Sequence, residues 1–92
     1  MVNLAYMIDA QRAVKAAESA YNAGRKAWWE WDSCLFALGV AKKAAAQAVS
    51  LTAELEPGNA WRVRAVNMRK AVTVALRDAR NEAAIDGFMV SA

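Results

Sequence analysis

The groups in this chain that could do chemistry are twelve Lys and Arg, nine Asp and Glu, and one cysteine, with no histidine, spread over 92 residues. Without histidine the chain lacks the commonest general base, the commonest metal ligand and the usual switch near neutral pH. A nucleophilic triad therefore has no ordinary base. Cys34 has no second cysteine to pair with and no histidine with which to share a metal. The carboxylates Asp9, Glu18, Glu30, Asp32, Glu54, Glu56, Asp78, Glu82 and Asp86 are scattered among basic neighbours. None forms an i, i+3 or i, i+4 pair inside an apolar stripe, as a di-metal helical bundle requires. The four glycines stand alone, so there is no phosphate loop and no dinucleotide fingerprint. These absences predict a protein that is not an enzyme, uses no cofactor and no metal, and acts by binding.

Two constellations could do the binding. The first is Trp28-Trp29-Glu30-Trp31-Asp32. On a helix, Trp28 and Trp31 share a side, and Trp29 points about 100° away from Trp28. The row through Trp29 reads Asn22, Arg25, Lys26, Ser33, Phe36, Val40 and Lys43. Trp29, Phe36 and Val40 are its apolar members. Aromatic side chains on a charged face have the composition of a protein-binding hot spot. The alternative is internal or self packing of Trp29 under a loop, the tail or a second copy. In the binding case Trp29 and Phe36 anchor, Val40 extends the contact, and Arg25 and Lys26 orient it.

The second constellation is a charge asymmetry. Residues 59–84 hold six basic residues against two acidic ones, a net charge of +4, whereas residues 1–58 balance at six of each. Arg62, Arg69, Lys70, Arg77 and Arg80 could lie along a phosphate backbone or an acidic protein face. A solvated face with Arg stems covering alanines is the plainer explanation. No helix-turn-helix or other known DNA-reading frame can be placed.

The elements that must position these residues are helices. About a quarter of the chain is alanine, the best helix former, and there is one proline. A stripe at alternating spacings of three and four runs Ala10, Ala13, Ala17, Ala20, Gly24, Ala27, Trp31, Cys34, Leu38, Ala41, Ala45, Ala48, Thr52, Leu55. Its small members let helix backbones approach closely. Pro57-Gly58-Asn59 is a firm break, with Asn59 placed to cap the helix that follows. Trp61, Ala65, Met68, Val72, Ala75, Ala79 and Ala83 make the stripe of that last helix, and Gly87 is its C′ residue. The apolar tail Phe88-Met89-Val90 is expected to fold back on the bundle. No segment alternates with period two, so no strands are expected.

The fold class is thus all-α: one domain over residues 1–92, forming a compact three-helix bundle. The predicted helices span about 4–22, 26–55 (with a break near residue 32) and 60–86. Asn22-Ala23-Gly24 reads as a helix end and Asp32-Ser33 as a fresh N-cap. The unbroken stripe also permits a long helical hairpin that oligomerises. A homo-oligomer fits a chain this short, which buries only about 60–65% of its unfolded surface.

No basic segment followed by an apolar one opens the chain, so no secretory leader is expected. The longest uncharged apolar run, Cys34 to Ala41, is far short of the roughly 20 residues of a membrane span. With a single cysteine, a reducing cytoplasmic location is expected. As a type, this short, alanine-rich, helical chain with a tryptophan cluster resembles small phage-encoded and mobile-element inhibitors of bacterial machinery. The resemblance is one of class, with no motif matched. It implies an inhibitor or adaptor acting on a larger protein complex, with anti-defence (anti-CRISPR-like) proteins the concrete case. The alternatives are a nucleic-acid-binding protein using the basic last helix, and an oligomer sequestering a small anionic ligand.

Overall fold

The computed structural model describes residues 4–88. It contains three helices, α1 (Leu4–Lys26), α2 (Trp31–Thr52) and α3 (Ala60–Ile85), with no strand among the described residues. Four residues join α1 to α2, so the two run antiparallel, and α3 packs against α2 more closely than against α1. The bundle measures 50 × 21 × 19 Å.

The alanine-rich stripe is the core. Ala10, Ala13, Ala17 and Gly24 of α1 are buried, as are Trp31, Cys34, Leu38, Ala41, Ala45, Ala48 and Thr52 of α2. From α3 come Ala65, Val72, Leu76, Ala79 and Ala83. Two clusters divide the interior. One gathers Trp31, Cys34, Leu38, Leu76, Ala79 and Ala83 near the α1–α2 turn. The other gathers Ala13, Val14, Ala48 and Ala65 towards the opposite end. Small side chains bring α1 and α2 together: a Cβ on Gly24 would lie 2.7 Å from Leu38 Cδ2. Among the described residues Thr52 is the one buried polar residue, and its hydroxyl donates to the Ala48 carbonyl at 2.8 Å.

The ends of α3 are closed by the chemistry its sequence carries. The Asn59 side chain accepts from the backbone N–H groups of Trp61 (2.9 Å) and Arg62 (3.4 Å). At the other end Gly87 adopts φ +83°, its N–H donates to the Ala84 carbonyl, and the Phe88 N–H donates to the Ala83 carbonyl. That pair of bonds is the Schellman arrangement, which satisfies carbonyls that a helix end would otherwise orphan. Phe88 is partly exposed. The fold-back expected of Met89 and Val90 lies outside the described residues.

The turn between α1 and α2 departs from the sequence expectation. Gly24 does not end α1. It is buried against Leu38, and the helix runs on to Lys26. Asp32 and Ser33 do not cap α2 either. The N-cap residue is Glu30, without a side-chain cap, and Asp32 accepts only from its neighbour's N–H. The reversal is made at Trp29, whose φ of +86° lies in the left-handed region. At the far end α2 stops at Thr52, three residues before the predicted boundary.

Candidate interaction surface

Trp29 projects from the turn with 64% of its surface exposed. Its ring meets Trp31 edge-to-face at 5.5 Å, and Trp28 meets Trp31 the same way at 5.3 Å. The three tryptophans therefore form one cluster centred on Trp31, which is only 5% exposed. This corrects the helical geometry expected for Trp29. The row from Arg25 to Val40 does not exist as a single helix face, because the chain reverses between Lys26 and Trp31. Trp31 Nε1 donates to Asp86 Oδ2 at 2.7 Å, which ties the cluster to the C-cap of α3.

The other members of the predicted site divide between the two helices. Arg25 and Lys26 occupy the exposed last turn of α1. Arg25 turns back on its own helix, where Nη1 donates to the Tyr21 hydroxyl at 3.0 Å and the guanidinium lies over the Tyr21 ring. That hydrogen bond raises the Arg25 pKa. Phe36 is 75% exposed, and Val40 one turn further along α2 is also exposed. At about 100° per residue both point away from the buried stripe of α2. Trp29, Phe36 and Val40 are thus apolar side chains left in solvent, one at the turn and two along the first half of α2.

Beside the cluster, a cleft of about 890 Å³ opens between α1 and α3. Tyr21, Arg25 and Trp28 line one wall; Lys70, Val74, Asp78 and Glu82 are on the other. No local pattern marks this cleft, because it depends on how far α3 stands from α1. Its charges are mixed, two cations and two carboxylates, so it does not single out an anion. A smaller groove, lined by Val49, Val66, Arg69, Lys70, Thr73 and Val74, lies between α2 and α3.

The basic residues of α3 share one side of the helix. On one unbroken helix, Arg62, Arg69, Lys70, Arg77 and Arg80 fall within an arc of about 100°. They are not equally free. Arg62 donates to the Leu55 carbonyl and so ties down the α2–α3 loop. Arg77 pairs with Asp78 at 3.3 Å on the surface. Arg69, Lys70 and Arg80 are exposed and make no ion pair among the described residues. Arg64 lies outside the arc. It reaches Glu18 on α1 (Nε to Oε2, 3.0 Å) and stacks 4.5 Å from the centre of the Trp61 ring.

Cys34 is buried, and desolvation pushes its thiol pKa up, away from the reactive thiolate. Among the described residues no group of three or more carboxylates and thiols stands close enough to hold a metal. By length and composition α2 could cross a membrane. In the bundle its buried stripe faces α1 and α3, and Lys42 and Lys43 stand exposed midway along the helix. No family model matches the chain, and neither a curated protein nor a solved structure matches it.

Proposed function

We propose that this protein is a non-enzymatic, cytoplasmic interaction module that docks on a larger protein and inhibits or bridges it, with Trp29 as the anchor. The supporting observation is the combination of positive φ and exposure at Trp29. A bulky residue in the left-handed region costs on the order of 1–3 kcal/mol. The indole itself returns only an edge contact with Trp31, since most of it faces water. Folding alone would favour glycine at this position. Retaining an exposed, strained tryptophan makes sense if the indole is buried by something else. Tryptophan is the residue most enriched among interface anchors. Phe36 and Val40 are further exposed apolar side chains on α2, and Lys26 supplies charge beside the turn. Small phage or mobile-element inhibitors of bacterial defence complexes are the class of protein this reading points to.

The test uses Trp29→Gly, because glycine is at ease at this φ and the change removes only an edge contact from the core. Binding partners captured by the wild type from its own cells are identified, purified and titrated against both proteins. Loss of an anchor costs at least about 2 kcal/mol, roughly thirtyfold in affinity. Phe36→Ser should weaken binding in the same direction. A Trp29→Gly protein that melts normally and binds with unchanged affinity would rule this surface out.

The unpaired cations on α3 favour a second reading, a nucleic-acid contact. If Arg69, Lys70 and Arg80 follow a phosphate backbone, affinity should fall with salt, with a log–log slope of about −0.9 per phosphate neutralised. Charge reversal at Arg69 and Arg80 should then abolish binding while the melt stays unchanged. No binding to single- or double-stranded DNA or RNA in about 50 mM salt removes this reading.

A further inference from the structure

Only four residues, Ala27 to Glu30, separate α1 from α2, and none is glycine or proline. Helical hydrogen bonding persists almost through them. The Ala27 N–H still donates to the Ala23 carbonyl, and the Glu30 carbonyl already accepts from the Cys34 N–H at 2.8 Å. The reversal is concentrated at Trp29, at φ +86°. The buried stripe crosses the turn without a slip: Ala20, Gly24, Ala27, Trp31 and Cys34 keep spacings of three and four. A turn that had to reverse the chain in every state could carry any register. This one keeps the register that a continuous helix would need.

We propose that the α1–α2 turn is a hinge, and that the chain exchanges α1 with a second copy of itself by straightening Ala27–Glu30 into helix. The second copy is the fitting occupant because the surface left open is the one that α1 already covers. In the exchanged dimer Gly24 packs on the partner's Leu38, and Ala13 and Val14 pack near the partner's Ala48, as they do within one chain here. The third helix stays on its own α2, held by Trp31 to Asp86 and by Leu76, Ala79 and Ala83 against Trp31, Cys34 and Leu38. The Glu18–Arg64 pair becomes intermolecular. Every core contact between α1 and α2 is therefore kept, and the strained φ at Trp29 is relieved in both chains. Short hinges under strain favour this kind of exchange. The entropy of association opposes it, so the single chain dominates when dilute. This inference stands apart from the proposed docking function: one is read from oligomeric state, the other from binding to a different protein.

Two substitutions at one position separate strain relief from simple damage. Glycine is comfortable at positive φ, so Trp29→Gly relieves the closed turn; alanine favours helix, so Trp29→Ala favours the straight one. Each protein is unfolded in denaturant, refolded at high concentration and sized by light scattering. The wild type should yield some species at twice the 10.0 kDa chain mass. Trp29→Ala should raise that fraction and Trp29→Gly should lower it, with dimer dissociation constants at least about tenfold apart, or about 1.4 kcal/mol.

Spin labels at Ala16→Cys and Ala46→Cys, in a Cys34→Ala background diluted with unlabelled chain, then report the path of one chain. A straight helix separates these positions by roughly 45 Å at 1.5 Å per residue. The closed hairpin holds them side by side. A dimer with the long distance supports exchange. A strict monomer under all these conditions, a dimer that keeps the short distance, or equal dimerisation of the two Trp29 variants overturns it.

Discussion

Replacing Trp31 with alanine is expected to remove about 3–5 kcal/mol of folding stability, as truncation of a buried aromatic side chain does. Trp31 opens α2, is almost fully buried, and is the ring on which both Trp28 and Trp29 lean. It also carries the hydrogen bond to Asp86 that joins α2 to the end of α3. One substitution thus leaves a cavity, removes two aromatic contacts and unties the third helix. A domain of this size has roughly 5–14 kcal/mol in total, so the variant should be marginal or unfolded at 25 °C. Urea unfolding followed by circular dichroism measures the effect as a fall in midpoint with unchanged slope. Trp28→Ala should cost clearly less, because Trp28 is half-buried and its indole N–H makes no hydrogen bond among the described residues. Equal losses for the two would mean that Trp31 is not the centre of the cluster.

Leu38→Ala is expected to cost about 2–5 kcal/mol when made alone, and less when Gly24→Ala accompanies it. Leu38 is fully buried, and its side chain fills the space that a Cβ at Gly24 would claim. Gly24→Ala by itself sets two effects against each other. Alanine gains up to about 1 kcal/mol in helix propensity. The added methyl, however, lands 2.7 Å from Leu38 Cδ2, and overpacking of this kind typically costs about 1–3 kcal/mol. A net loss is expected. In the double variant the new methyl enters the space that Leu38 vacates, so the losses should fall short of additive by about 1 kcal/mol or more. Strict additivity would mean that the two residues do not share a packing constraint. A stabilised Gly24→Ala would mean that Leu38 swings aside at little cost.

Much of the scaffold was legible in the chain. Spacings of three and four placed most of the core because helical periodicity is local, although Ala20, Ala27, Trp61, Met68 and Ala75 of the predicted stripes are only half-buried and Leu76, outside them, is buried. A side chain's face is fixed by its own position and the 3.6-residue turn. The ends of α3 were equally local: Asn59 caps it by bonding two and three residues ahead, and Gly87 supplies a φ that other residues resist. The exposure of Phe36 and Val40 and the burial of Trp31 also followed from these rules; the exposure of Trp29 did not, because Trp29 lies in the turn and on no helix face. The hinge did not. Gly24 looked like a terminator, but its missing side chain serves the approach of α2, a contact fourteen residues away in sequence. Trp29, which local preference would keep out of the left-handed region, makes the reversal instead. Burial of Trp31 and closure of α1 onto α2 outweigh a backbone cost that no neighbouring residue announces. With the turn misplaced, the clustering of the three tryptophans and the cleft beside Trp28 lay beyond the sequence, because both depend on how separate helices meet. Periodicity decided which residues are inside; the packing of α1 and α3 against α2 decided what the outside presents.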